Sequence, residues 1–595
     1  MPLDSRVKIL LWLSARTGQS FRPDVTVEAL RAGYLKTNKQ FGLKQPTGVT
    51  TRELSIPASD GATVHARMYV PDNAGEGPLP VLLYFHGGGW VIGDVEAYDG
   101  LTRWFAHEGR IAVISVDYRL GPEHHFPRGF EDSFDALKYV QQNAASLNID
   151  PAKIAVGGDS AGGGLASALS VYAEARGLEK PAYAFLIYPS VDGPGRYPSR
   201  GEYHGNLPLT PATIEWFGQR AASDAAHKHD PLYVTIDAPN PEKHPPAYVL
   251  AAQYDPLVDE GRAYYERLRA AGVDATYDLR ATLPHAFVNL AGVIPEAKKA
   301  LADGIRATAA ALGVRPVAAI TGAGSGIGRA LALQLADLGY ALSLADRNEA
   351  GLHETASLIG TTTTVTTTVL DVADRRAVED WAADTLRDHR RIDVVVNNAG
   401  VSIAGDVSEL SIEEIEWLMN INFWGTVYGV KAFLPAMERQ REGTIVNLSS
   451  VFGLIGPPGQ SAYAASKFAV RGFSESLRGE VAEHGIHVVT VHPGGIATNI
   501  AKQSRIAAAA DQELSRARAE FFDREMLTQT PEKAARLIIK GILGKKDRVL
   551  IGTDALQIDV FSRALGPAAS KFLAAQATKG LPAELQRNGA STSKV

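Results

Sequence analysis

The sequence predicts an α/β protein of two domains, each built on a mainly parallel sheet. Three observations carry that expectation. At 595 residues the chain is too long for a single hydrophobic core. Twice, a short apolar run ends in a turn of glycine and small residues that opens a helix. The first is Ile154-Ala155-Val156, leading to Gly158-Asp159-Ser160-Ala161-Gly162. The second is Val317-Ala318-Ala319-Ile320, leading to Thr321-Gly322-Ala323-Gly324-Ser325-Gly326-Ile327-Gly328. Around both, strand-like runs alternate with helix-like stretches, the pattern of a parallel sheet covered on both faces.

Composition narrows the function. The apolar share (45%) and charged share (21%) are those of an ordinary globular protein. A net charge of −6 gives no reason to expect a nucleic-acid partner. The absence of cysteine removes disulfides, thiolate metal sites and a cysteine nucleophile, and no metal site is expected. Ile9-Leu10-Leu11-Trp12-Leu13 is too short for a signal-peptide core and has no small-residue cleavage site after it. No stretch is long enough to cross a bilayer, so a cytoplasmic protein with no membrane span is expected.

In chain order, residues 1 to about 50 mix polar and apolar residues at helical spacing and suit either a lid over a site or a packing helix. Leu54–Pro57 and Val64–Val70 alternate like the arms of a hairpin. Val81-Leu82-Leu83-Tyr84-Phe85 reads as a doubly buried strand and ends in His86-Gly87-Gly88-Gly89-Trp90. Successive glycines let backbone N–H groups point into a cavity, as oxyanion stabilisation requires. A further strand, Ile111–Val116, precedes the strand–turn–helix around Ser160. A serine at so sharp a turn has its hydroxyl exposed, and only small neighbours fit. Downstream, the strand Ala247–Ala252 runs into Asp255-Pro256-Leu257. Leu283-Pro284-His285-Ala286-Phe287 is expected in a loop after the strand Ala275–Leu279. Serine becomes nucleophilic when an imidazole takes its proton, and the imidazole needs a carboxylate to set its tautomer. The chain has 15 histidines, and a lone histidine after proline is usually an ordinary loop residue. His285 is chosen over His86, His124 and His125 because it alone follows a strand downstream of the acid.

Residues 1 to about 312 thus resemble the hormone-sensitive-lipase branch of the α/β-hydrolases. The matching elements are His86–Gly89, Asp117-Tyr118-Arg119-Leu120, Pro122-Glu123, Gly158–Gly163, Asp255-Pro256-Leu257 and His285-Ala286-Phe287. Ala286 and Gly121 depart from the family's usual Gly and Ala. The resemblance implies Ser160 as nucleophile, Asp255 and His285 as its partners, and the N–H groups of Gly87, Gly88 and Ala161 as oxyanion donors. It also implies a helical cap from the N-terminal helices and an insertion near residues 195–225.

A helix from Pro295 to Leu312 stops at Gly313, and Pro316 opens the next strand, so the boundary is only a few residues long. The domains expected are 1–313, 314–560 and a C-terminal helix and tail over 561–595. In the second half, the glycine turn between strand and helix suits a pyrophosphate at a helix N-terminus. Asp346 closes the strand Ala341–Ala345, where a carboxylate accepts ribose hydroxyls and repels a 2′-phosphate. Arg347 partly offsets that repulsion, and NAD is favoured over NADP. The threonine run 361–368 reads as a strand closed by Asp371. Val394-Val395-Val396 delivers Asn397-Asn398-Ala399-Gly400 to the sheet edge. Thr444–Leu448 delivers Ser449-Ser450, and Tyr463 and Lys467 share one face of a helix.

Residues about 315 to 560 resemble a short-chain dehydrogenase/reductase with a Rossmann-type doubly wound parallel sheet. The resemblance implies Tyr463 as general acid/base and Ser450, chosen over Ser449 by its spacing, as holder of the substrate oxygen. Lys467 would bind the ribose and lower the tyrosine pKa, and Asn422 would position a proton-relay water. It implies cofactor contacts from Thr321, Gly322, Ser325, Gly326, Ile327 and Gly328, from Asp346 and Arg347, and from Asp371 and Val372. Further contacts come from Asn398, Ala399 and Gly400, from Tyr463 and Lys467, and from Pro493, Gly494, Ile496 and Thr498. Ala501–Arg524 would cover the substrate. Leu556–Leu573 is amphipathic, and Asn588–Val595 is small and polar. The expected protein is a serine carboxylesterase fused to an NAD-linked alcohol dehydrogenase, acting on small-molecule ester and alcohol substrates and assembling as a homo-oligomer through the dehydrogenase domain. A hydrolase half serving only to bind ligand or as a scaffold is the rival, and the intact Ser160, Asp255 and His285 argue against it.

Overall fold

The structure is a computed structural model. It describes residues 2–17, 24–72, 74, 77–202, 207–361, 363–498, 500, 503–517, 520, 529–566 and 568. The chain divides into two compact units at Val314/Arg315.

In the first unit, helices α1 (Ser5–Thr17) and α2 (Val27–Phe41) precede the hairpin β1 (Val49–Pro57) and β2 (Thr63–Pro71). The chain continues through β3 (Leu79–Phe85), α3 (Val95–Gly109), β4 (Ala112–Asp117), α4 (Arg128–Gln142), β5 (Ile149–Asp159), α5 (Ala161–Tyr172) and β6 (Tyr183–Ile187). It ends with α6 (Ser199–Glu202), α7 (Pro211–Ala221), β7 (Ala247–Tyr254), α8 (Val258–Ala270), β8 (Ala275–Pro284) and α9 (Pro295–Ala311). The sheet order is β1-β2-β4-β3-β5-β6-β7-β8. The β1/β2 and β2/β4 pairs are antiparallel and the rest parallel. All seven residues of β3 are buried. Val81, Leu83 and Phe85 join the core on one face, and Leu82 and Tyr84 join that on the other. This is why the run shows no polar alternation. One expectation shifts: β8 does not end at Leu279 but continues past a register irregularity to pair Pro284 with Tyr254. Leu283-Pro284 are therefore strand, and His285 follows directly, its N–H donating to Tyr254 C=O at 3.1 Å.

The second unit contains β9 (Val317–Thr321), α10 (Gly326–Asp337), β10 (Ala341–Asp346), α11 (Glu349–Ile359), β11 (Val365–Val369), α12 (Arg375–His389), β12 (Val394–Asn397) and β13 (Ile403–Ala404). It continues through α13 (Ile412–Met419), α14 (Gly425–Gln440), β14 (Gly443–Leu448), α15 (Ser461–Val481), β15 (Ile486–Pro493), β16 (Arg505–Ile506), a helix Pro531–Leu543, β17 (Arg548–Ile551) and a helix Thr553–Leu565. The main sheet, β11-β10-β9-β12-β14-β15-β17, is parallel throughout. Its order reverses between β9 and β12, and a crevice at such a switch point is where α/β sheets take ligands. Among the described residues of the threonine-rich run, only the part from Val365 on is strand; Val365–Val369 form the edge strand β11. Of the amphipathic stretch, Leu556–Leu565 lies in the last helix, with Ala555 buried and Leu556, Val560 and Phe561 exposed. The residues from 569 on, Asn588–Val595 among them, lie outside the described residues. No helix of the described residues is long and apolar enough to cross a membrane.

Candidate active sites

In the first unit the catalytic side chains converge at the carboxyl ends of the parallel strands. Ser160 stands between β5 and α5 with φ +55° and ψ −117°, a conformation a non-glycine residue holds only when its surroundings impose it. The residues two positions away on either side, Gly158 and Gly162, must be glycine. A Cβ on Gly162 would lie 2.0 Å from Phe85 O, and one on Gly158 2.4 Å from Gly162 C. Ser160 Oγ–H donates to His285 Nε2 at 3.0 Å, and His285 Nδ1–H donates to Asp255 Oδ2 at 2.7 Å. The other oxygen of the fully buried Asp255 accepts Leu257 N–H at 2.8 Å. The Tyr188 ring lies against the His285 imidazole with centroids 4.5 Å apart. The chain therefore places a hydroxyl, an imidazole and a carboxylate in one proton-transfer line.

The glycine run after β3 requires a correction. Gly87 N–H does not face the catalytic cavity; it donates to Asp159 Oδ1 at 2.9 Å and to Tyr98 OH at 3.1 Å. A Cβ at Gly87 would sit 2.4 Å from Asp159 Oδ2, so this glycine serves close approach to the carboxylate beside the nucleophile. The N–H groups of Gly88, Gly89 and Ala161 have no hydrogen-bond partner among the described residues. Gly88 (φ +122°) and Gly89 (φ +60°) adopt backbone conformations that favour glycine. Gly89 was missed because three consecutive glycines look alike in sequence. The signal lies in the buried Asp159, whose carboxylate claims the first of them.

Helix α2 meets α7, which lies in the stretch 195–225, in one small apolar cluster. Val25, Val27, Leu30, Tyr34 and Phe217 pack with Val91, Ile92, Trp216 and Ala221, joining α2 to α7 above the glycine loop. A Cβ at Gly89 would meet the Phe217 ring at 2.4 Å. Arg31 of α2 donates to Val91 C=O (2.9 Å) and Gly121 C=O (3.0 Å) and pairs with both oxygens of Glu123 at 2.8 Å.

In the second unit the loops after β9 and β12 flank the switch point. Gly322 (φ +67°) and Gly326 (φ +54°) shape the turn into α10, whose first turn has no side-chain cap. A Cβ on Gly328 would lie 2.1 Å from Gly322 O, and one on Gly326 3.2 Å from Thr498 Cγ2, so Thr498 stands beside the turn. Asp346 accepts Gly324 N–H (2.8 Å) and Asn348 N–H (2.9 Å), one on each oxygen. Arg347 is exposed. Asn398 donates to Thr321 C=O (2.9 Å) and Gly322 C=O (3.1 Å), while Thr321 Oγ1 accepts the N–H groups of Asn398 and Ala399. The Thr321 side chain is thus buried and spent on holding the β9 and β12 loops together, not on reaching a ligand. Asp371 Oδ1 accepts Ala373 N–H, and Val372 packs on Gly425. The uncapped helix start, the close glycine cradle and a carboxylate with lone pairs to spare fit a dinucleotide. Ser325 is the residue before that start, and Ile327 lies in its first turn.

Nearby, the two adjacent serines separate. Ser449 Oγ–H donates to Lys467 C=O at 2.8 Å, whereas Ser450 Oγ accepts Phe452 N–H at 3.2 Å and works to lower the Tyr463 pKa. Lys467 Nζ donates to Leu448 C=O at 3.0 Å and lies 5.7 Å from the Tyr463 ring centroid. Burial pushes Lys467 down to about 8, and it pushes Tyr463 up against the opposing influence of Ser450. Asn422 sits in a π-turn, Asn420–Trp424, ahead of α14. Its side chain is spent on Val401, accepting the N–H at 2.8 Å and donating to the C=O at 3.0 Å, and it also donates to Ser466 Oγ at 3.1 Å. A relay water would need the Asn422 backbone carbonyl. A Cβ at Gly400 would lie 3.4 Å from Lys467 Nζ, which brings the β12 loop to this cluster. Ile496 pairs with Gln529, and Gly495 N–H donates to Asp554 Oδ2 at 2.9 Å, fastening the Pro493-Gly494 turn. Of Ala501–Arg524, Ile506 and Ala507 are described beside Tyr463, in a small cluster with Ile403 and Ala462.

A nucleophile line at the carboxyl edge of one sheet and a glycine turn suited to a dinucleotide at the switch point of the other define a two-enzyme chain. The first half belongs to the α/β-hydrolases and the second to the short-chain dehydrogenases. The family model for the alpha/beta hydrolase fold matches residues 82–289, and that for short chain dehydrogenase matches 316–509. A Mycobacterium tuberculosis protein bearing the oxidoreductase name SadH is 44% identical over 269 residues, covering 45% of this chain and 96% of that protein. Carboxylesterase NlhH of the same species is 36% identical over 261 residues, 42% of this chain and 80% of its own. A solved α/β-hydrolase enzyme from the Lake Arreo metagenome superposes with TM-score 0.50 at 34% identity, covering 52% of this chain and 99% of that one. The chain is thus an esterase-type hydrolase joined to a short-chain oxidoreductase that uses NAD(P).

Proposed function

We propose that the protein hydrolyses an ester of a secondary alcohol and oxidises the released alcohol to a ketone with NAD, residues 1–313 doing the first step and 314–560 the second. The Ser160–His285–Asp255 line of hydrogen bonds carries this reading. Ser160 Oγ attacks the ester carbonyl as its proton passes to His285 Nε2, and Asp255 steadies the imidazolium. The oxyanion is met by the N–H groups of Gly88, Gly89 and Ala161. His285 returns the proton to the departing alkoxide, and water then frees the acid by the same route. In the second unit, Tyr463 takes the hydroxyl proton of an alcohol held by Ser450, and Lys467 lends positive charge and binds ribose. NAD(P), when bound, supplies the hydride acceptor. Asp346 would accept ribose hydroxyls and repel a 2′-phosphate, which favours NAD. An NAD-linked oxidation needs a renewed cofactor pool, so the cytoplasm is the compartment assigned. The exposed aromatic side chains Trp424 and Phe468 support a homo-oligomer through this unit.

Oxidation removes the alcohol and draws hydrolysis forward by mass action. The test supplies esters of secondary alcohols with NAD to the intact protein and follows alcohol and NADH together. Tyr463→Phe should stop at the alcohol. Ser160→Ala should form no NADH from the ester but should form it from the free alcohol. A protein that cleaves such esters yet oxidises none of the alcohols released contradicts the coupling.

A further inference from the structure

Behind the nucleophile lies a buried polar chain that the proposed chemistry does not use. Asn289, four residues after His285, donates from Nδ2 to Tyr34 OH at 3.0 Å. Tyr34 and Tyr98 hydroxyls are 2.7 Å apart, and Tyr98 OH donates to Asp159 Oδ2 at 3.0 Å. Gly87 N–H donates to both Tyr98 OH and Asp159 Oδ1, and Tyr84 OH donates to Asp159 Oδ1 at 2.8 Å. A hydroxyl has one proton to give and two lone pairs to fill. Tyr98 gives its proton to Asp159, so the bond between the two hydroxyls must run from Tyr34 to Tyr98. Tyr34 in turn accepts from Asn289. Every proton along the chain therefore points toward one carboxylate, which is itself adjacent to Ser160.

The elements joined are distinct. Tyr34 belongs to the cap helix α2, Tyr98 to α3, Gly87 to the oxyanion loop, Asp159 to the nucleophile turn and Asn289 to the segment after His285. The Tyr98 side chain is 1% exposed and Asp159 2%, so neither has water as an alternative partner. Burial pushes the Asp159 carboxyl up, and hydrogen bonds from Tyr84, Tyr98 and Gly87 N–H oppose the rise. A carboxylate in that position depends on its donors being held in place.

We propose that Tyr34, delivered by the cap helix, is a positioning residue for ester hydrolysis: through Tyr98 and Asp159 it holds the Gly87–Gly89 loop in the shape that stabilises the tetrahedral intermediate. The inference rests on the esterase reading of Ser160. It gives the cap a part in the chemical step beyond covering the substrate.

The test uses the full chain with Tyr34→Phe, which keeps the ring and removes the hydroxyl. Three quantities are read: kcat and KM for a p-nitrophenyl ester, and the inhibition constant of an alkyl boronic acid, which forms a tetrahedral adduct on serine. Loss of one buried hydrogen bond that matters only to the intermediate should lower kcat about tenfold and weaken boronate binding by about the same factor, with KM nearly unchanged. The thermal transition of the first unit, followed by circular dichroism, reports that the hydrolase unit is folded; dehydrogenase turnover in the same sample belongs to the second unit and should not change. Unchanged kcat and boronate affinity overturn the proposal, whatever happens to the melting temperature, and so does a rise in KM alone. If Tyr34→Phe does not fold, Asn289→Leu is read by the same three quantities with the same criteria. Where both variants fold, their effects should be less than additive, since they break one chain; full additivity is contrary to it. Ser160→Ala separates the two levels of the argument. Residual ester turnover in that variant would refute the esterase reading itself, independently of the Tyr34 result.

Discussion

At the scale of single residues, the sharpest expectation concerns two side chains that share no partner. Ser160→Ala should lower ester kcat by up to about a millionfold and leave alcohol oxidation intact. Tyr463→Phe should lower oxidation by about a hundredfold to ten-thousandfold while NADH still binds, as read by fluorescence titration. A second residue-scale expectation concerns acid. His244 in the first unit and His492 in the second each donate from Nδ1–H to a backbone carbonyl, of Pro245 and Ser450, and bury Nε2 without a partner. Burial pushes both down to about 4. With an unfolded value near 6.5, the unfolded chain binds more protons between about pH 4 and 6.5. Each histidine therefore costs stability as pH falls through that window, on the order of 3 kcal/mol at its lower end. Urea midpoints at pH 7 and pH 5 should show the loss. His492→Phe should flatten the slope of the transition belonging to the second unit, and an unchanged slope would contradict the assignment.

At the scale of elements, the loops that matter are held by carboxylates arriving from elsewhere in the sequence. Asp159 grips the oxyanion loop, and Asp554, at the start of the helix Thr553–Leu565, grips Gly495. Asp554→Asn should raise the KM for NAD several-fold through a loosened Pro493-Gly494 turn and leave ester hydrolysis untouched. An unchanged KM would mean that the turn holds itself. These grips also explain what the sequence made legible. Strands such as Val81–Phe85 and Val394–Asn397 were readable because double burial demands unbroken apolar runs. Ser160, Asp255 and His285 were readable because turn chemistry and strand order constrain them. The missing information was long-range. Nothing local distinguishes Gly87, whose N–H meets Asp159, from Gly88 and Gly89, whose N–H groups do not. Nothing local shows that Thr321 would be consumed by Asn398 and Ala399, 77 and 78 residues away. The extension of β8 through Leu283-Pro284 depended on pairing with Tyr254, which no periodicity reveals.

At the scale of the whole molecule, two complete sites stand on two separate sheets with no residue in common. In the proposed function the alcohol links them, as product of the first site and substrate of the second. On that proposal, oxidation of the alcohol would make ester cleavage harder to reverse, whether or not the intermediate leaves the protein between steps. The most direct measurement is a progress curve on the intact chain with an ester of a secondary alcohol and NAD, recording acid, free alcohol and NADH together. The predicted result is that the alcohol rises and then falls as NADH accumulates toward one equivalent per acid formed. Tyr463→Phe should leave the alcohol at its plateau. Acid and alcohol accumulating in equal amounts with no NADH, for every secondary-alcohol ester the protein cleaves, would contradict the account.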